Sequence, residues 1–176
     1  MISSFFRESR LIILGEALDI AEDRTGNYYK LSLGQWKRHR YDIKTQESLS
    51  ADEITKYAFA LLNKCTNITD GYDSKTKNQD FYFICLQDNQ ILKAIKRDKN
   101  LELLPLLVYI FTHELVHIVR FNNYFQRYEA SGVDREKEEK IVHSITYEIL
   151  KKLSLQNLDY ILESYEGHRI CTLGAA

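Results

Sequence analysis

From Leu101 to Phe121 the chain is almost uninterruptedly apolar, and this run constrains the fold more than any other stretch. It reads as one helix. Asn100 is placed to cap it, Pro105 falls in the first turn, where a missing N–H is tolerated, and Asn122-Asn123 ends it. A helix that is apolar nearly all round has no face to offer to water, so it belongs in the core. Its longest strictly apolar stretch, Leu103 to Phe111, is too short to span a membrane.

Within this run stand His113, Glu114 and His117, in the pattern HExxH. Histidines four apart on a helix project from one face, one turn apart. Both imidazoles can then reach a single tetrahedral Zn²⁺ at about 2.0–2.1 Å per Zn–N bond. Glu114 follows His113 directly and points along the helix edge, towards a water in the open coordination position. Burying three such groups without a shared purpose costs roughly 1–3 kcal/mol for each one left unsatisfied. A metal site is therefore a stronger reading than three core residues satisfied separately. Two histidines leave the ion under-coordinated, so a third protein ligand is required.

With 176 residues, a single domain spanning 1–176 is the expectation. Net charge is −1, which argues against nucleic acid as a partner, since phosphate binding needs a basic surplus. Cys65, Cys85 and Cys171 are far apart and form no CxxC pair, so neither a disulfide framework nor a thiolate zinc site is indicated. The patch Leu11-Ile12-Ile13-Leu14 is too short for a secretory signal and is flanked by Arg7, Glu8, Arg10 and Glu16. The expectation is a soluble cytoplasmic protein that does not engage a membrane. Asn67-Ile68-Thr69 matches a glycosylation sequon but has no signal peptide to give it meaning.

Elsewhere the pattern predicts a helix over 3–24, stopped by Thr25-Gly26-Asn27, and short strands over Tyr28–Leu33 and Tyr41–Thr45. Between the two strands, Lys37-Arg38-His39-Arg40 reads as a solvated loop. Ser50 and Glu53 have the spacing of a capping box, and Ile54, Tyr57, Ala58, Leu61 and Leu62 then repeat at helical spacing. Residues 66–80 are polar and read as a loop. Phe81–Leu86 is the best strand in the sequence, and Ile91–Ile95 is either a second strand or the start of a helix. Asp134 opens a helix with an apolar stripe of Ile141, Val142, Ile145, Ile149 and Leu153, and a last helix covers Leu155–Tyr165.

The third ligand is sought downstream of the motif, among Glu129, Asp134, Glu138, Glu139 and His143. At about 100° per residue, Glu138 lies in line with Ile141, Val142, Ile145 and Ile149, whereas Glu139 falls at the edge of that stripe. A carboxylate facing the core needs a counter-charge, and a zinc ion on the neighbouring helix supplies one. Glu138 is preferred on this ground, with Glu139 as the alternative. His143, four residues after Glu139, is within hydrogen-bonding reach of it on a helix.

His113-Glu114-x-x-His117, followed by a glutamate on the next helix, resembles the gluzincin metallopeptidases. Glu136-x-Glu138-x-x-x-Val142 resembles the second motif of small gluzincins, including those that cleave phage-type repressors. The similarity covers roughly residues 80–155. Glu139 and His143 stand where that group often has small residues. The resemblance implies an α+β, zincin-like fold: a small, partly antiparallel sheet beside the buried active-site helix, with a helical C-terminal part. It implies Zn²⁺ held by His113, His117 and Glu138, Glu114 as general base, a peptide or protein substrate, and Phe81–Leu86 near the strand that lines the cleft. It also implies a donor to the oxyanion from the C-terminal part, for which Tyr147, Tyr160 and His168 are candidates. The competing expectation is a non-catalytic or partner-regulated zincin-fold binding or regulatory protein. A structural zinc site fits less well, because no cysteine lies near the motif.

Overall fold

A computed structural model of the chain describes residues 5–66, 80–123, 126–165 and 171–173. The fold is α+β and mostly helical. Helices α1 (Glu8–Tyr28), α2 (Leu33–Trp36), α3 (Asp88–Arg97), α4 (Leu103–Asn122), α5 (Gly132–Leu150) and α6 (Leu158–Ser164) accompany one mixed sheet. Its strands β1 (Arg40–Lys44), β2 (Ala60–Thr66), β3 (Asp80–Leu86) and β4 (Cys171–Leu173) lie in the order β1-β3-β2-β4.

Helix α4 is the centre, as its composition requires. Leu106, Leu107, Val108, Ile110, Phe111, Leu115, Val116 and Ile118 are all without exposed surface. Pro105 is its third residue, inside the first turn. The cap is Glu102 and not Asn100, whose N–H is instead taken by the Asp98 carboxylate at 3.0 Å. Taken whole, α4 is long and apolar enough to cross a membrane, although Leu103–Phe111 alone is not; 83% of the qualifying window is buried inside the fold.

Helix α1 packs along α4 through Ala17, Ala21 and Thr25, spaced four apart and wholly buried. Such small side chains let two helix backbones approach closely. That packing carries α1 through Thr25-Gly26-Asn27, where a stop was expected. Gly26 lies under Trp36, with 3.8 Å from the site of an added Cβ to Cε3 of the indole. Tyr28–Leu33 is consequently not a strand: Tyr28 ends α1, and Leu33 opens α2.

The segment after Ser50 also departs from its helical spacing. The Ser50 N–H donates to Glu53 Oε2 at 3.0 Å, but only one 3₁₀ turn, Ala51–Glu53, forms. Tertiary partners capture the chain there. Lys44 Nζ pairs with Glu53 Oε1 at 2.7 Å. The buried Gln87 amide donates to the Glu53 carbonyl at 2.8 Å and accepts the Thr55 N–H at 2.9 Å. Released from the helix, Ala60 and Leu62 alternate into the core as β2, antiparallel to β3, with Leu62 opposite Ile84. Strand β1 pairs with β3 in parallel, Ile43 beside Ile84, so β3 is the inner strand between β1 and β2.

Ile91–Ile95 belongs to α3. Asp88, at its start, is fully buried and accepts the N–H groups of Phe6 at 3.0 Å and Gln46 at 3.1 Å, tying both segments to the sheet edge. Helix α5 begins at Gly132, two residues before Asp134; its φ of +58° is one that glycine adopts without strain. Helix α6 is shorter than expected at both ends. The polar stretch 67–79 with its sequon, and His168, lie outside the described residues.

Candidate metal centre

Along α4, Tyr109, His113, His117 and Phe121 follow one another at four-residue spacing and form a ladder of rings. Tyr109 stacks on His113 and His117 on Phe121, with interplanar angles of 24° and 20°. The two imidazole centroids are 4.9 Å apart. His113 is fully buried and His117 is 1% exposed, and Glu114 between them is also fully buried. Among the described residues, no ring nitrogen of His113 or His117 has a hydrogen-bond partner. Burying four such atoms without a hydrogen bond is costly.

The carboxylate that faces them comes from α5, and it is Glu139. Its Oε2 lies 3.4 Å from His113 Nε2 and its Oε1 lies 3.4 Å from His117 Nε2. Glu138, the residue expected there, is engaged elsewhere. Arg120, three residues past His117, holds it in a two-pronged pair, Nε to Oε1 at 2.6 Å and Nη2 to Oε2 at 2.9 Å. Glu139, and not Glu138, therefore faces the histidines. The reason is the true position of the buried stripe. Val142, Thr146, Ile149 and Leu150 define it, while Ile141 is 42% exposed. The stripe is centred about one residue later than the apolar pattern suggests, which turns both glutamates inward. Glu138 meets the turn of α4 that carries Arg120, and Glu139 meets the histidines.

Charges follow this geometry. Burial pushes Glu139 upward, but the two imidazoles outweigh it and hold the carboxyl well below the usual carboxylate range. Burial dominates at His113 and depresses it to about 4. At His117 burial also works downward, but Glu139, Glu114 and Glu138 prevail and raise it.

Helix α5 brings a second side chain. His143, one turn after Glu139, has its ring centroid 4.7 Å from that of His113 and its Nδ1 2.9 Å from the Tyr109 hydroxyl. Ligating atoms of His113, Glu139 and His143 all lie within 4.8 Å of one another. The other candidates are placed elsewhere. Glu129 pairs with Lys64 at 3.4 Å, Asp134 is exposed, Tyr160 donates to Asp98 at 2.6 Å, and Tyr147 is exposed. A regularity in the sequence pointed to the pair on α5: Glu139 and His143 repeat the four-residue spacing of His113 and His117.

The Arg120–Glu138 pair carries a stability prediction. Arg120→Ala strands a carboxylate that is 2% exposed, and removing one partner of a buried pair typically costs about 3–5 kcal/mol. Urea denaturation should show that loss, and the double variant Arg120→Met/Glu138→Gln should recover most of it.

Two imidazoles and a carboxylate are donors that could hold a divalent metal ion. Each oxygen of Glu139 lies 3.4 Å from one histidine Nε2, close to the ~3.4 Å between neighbouring ligands of a tetrahedral ion at about 2.0–2.2 Å per bond. Compared with protein-family models, curated proteins and solved structures, the chain gives no match.

Proposed function

We propose that the protein is a zinc-dependent hydrolase of peptide bonds, with His113, His117 and Glu139 as metal ligands and Glu114 as general base. One observation carries this reading: Glu139 faces both histidines of HExxH, its Oε2 3.4 Å from His113 Nε2 and its Oε1 3.4 Å from His117 Nε2. Zinc, when bound, supplies Lewis-acid activation of a water and of the scissile carbonyl. The rest falls to the chain. Glu114 accepts a proton from the attacking water as its oxygen bonds to the carbonyl carbon. It returns that proton to the nitrogen as the C–N bond breaks, releasing acid and amine. Metal binding alone does not need Glu114, so its place inside the motif favours catalysis.

A second reading, a zincin-type regulatory protein or a hydrolase governed by a partner, is favoured by the burial of His113, Glu114 and His117, which leaves at most 1% of each exposed. The first test separates either reading from a metal-free protein. Elemental analysis of the purified chain should give one zinc per molecule, absent from His113→Ala. No metal in the wild type, and no uptake on titration with Zn²⁺, would end both. Cleavage of a quenched peptide library by the zinc-loaded protein then decides between them.

A further inference from the structure

We infer that His143 is a third imidazole donor to the same metal, holding at rest the coordination position that hydrolysis needs, so that the centre is latent until His143 withdraws. This rests on the zinc reading above and specifies its regulation.

Three observations carry it. The first is reach. The ligating atoms of His113, Glu139 and His143 already lie within 4.8 Å of one another, so a shift of ~1.5 Å brings His143 to the ~3.4 Å spacing of tetrahedral ligands from His113 and Glu139. The second is the hydrogen bond behind the ring. A metal-binding histidine almost always uses its other ring nitrogen to hold a fixed partner. Of the three histidines in the cluster, His143 has such a bond, Nδ1 to the Tyr109 hydroxyl at 2.9 Å. Neither His113 nor His117 has one among the described residues. In the tautomer whose Nδ1–H donates to the hydroxyl oxygen, the His143 lone pair sits on Nε2. The third is position. His113, Glu114 and His117 are sealed, while His143 is only partly buried. Four protein donors close a zinc site, whereas three leave it open.

Zinc K-edge absorption on the zinc-loaded full chain reads the number of imidazoles directly. Three are expected in the wild type and two in His143→Gln, with zinc affinity in a chelator competition falling about 10–100-fold in that variant. Tyr109→Phe, which keeps the ring but removes the hydrogen bond, should also weaken zinc about 10–100-fold. With the position vacated, acetohydroxamate should bind the cobalt-substituted His143→Gln protein at least about 10-fold more tightly than the cobalt-substituted wild type, read from the visible absorption of the ion. Two imidazoles in the wild type, or equal hydroxamate affinity in the two proteins, would overturn the inference and leave the zinc reading standing. Absence of zinc from the wild type would overturn both. Should His143→Gln fail to fold by circular dichroism, the wild-type imidazole count and Tyr109→Phe still decide.

Discussion

Glu139→Ala is expected to lose zinc to a low-micromolar chelator, with affinity falling more than about 100-fold, while Glu138→Ala keeps it. Replacing a group behind a ligand costs about 10–100-fold in metal affinity, and replacing a ligand costs more. The two adjacent glutamates are both buried, so burial does not distinguish them. Their partners do. The oxygens of Glu139 bracket the two histidines at 3.4 Å, and those of Glu138 are taken by Arg120 at 2.6 and 2.9 Å. Glu138→Ala should instead appear as a loss of stability, because it leaves the Arg120 guanidinium, 13% exposed, without its carboxylate. Chelator competition followed by a denaturation curve on each variant makes the comparison. The opposite ranking would mean that α5 turns by about 100° when metal binds.

Glu114→Gln should retain zinc and the fold while any hydrolytic rate falls by about 10²–10⁴-fold, the usual size of a general-base contribution. Glutamine fills the same volume in the fully buried position and keeps a carbonyl oxygen, so packing is little disturbed. What it lacks is an oxygen basic enough to take the proton. Peptide cleavage by the zinc-loaded variant, measured against wild type at equal metal content, gives the ratio. Equal rates would remove Glu114 from the chemistry.

The parts of the fold legible in the sequence are those set by local patterns. The apolar run placed α4 and its burial, and the unbroken apolar stretch around Phe81–Leu86 placed β3. HExxH placed His113, Glu114 and His117 together on that helix. What the sequence concealed was decided by distant partners. Ser50 and Glu53 begin a helix in every local respect, yet Lys44 and Gln87, brought up by the sheet, stop it after one turn. Thr25-Gly26 looks like a stop, yet it is where α1 lies tightest in the core. The choice between Glu138 and Glu139 depended on a helix rotation of one residue, which average spacing cannot resolve when Ile141 is apolar but exposed. Arg120 was the missed clue: a cation one turn past His117 claims whichever neighbouring carboxylate does not face the histidines.

The burial of α4 also bears on how the chain is made. Before its partners arrive, Leu103–Asn122 is a 20-residue apolar helix that by length and composition alone qualifies to enter a bilayer. Glu114 falls near the middle of it. For aspartate at the centre of an inserting helix the penalty is about 2.5–3.5 kcal/mol on biological insertion scales, and a glutamate there faces a similar cost. The two histidines add polarity within one turn on either side. The polar residues that cluster in the folded protein thus also weigh against the segment lodging in lipid during synthesis. Glu114→Leu would remove that safeguard together with the base.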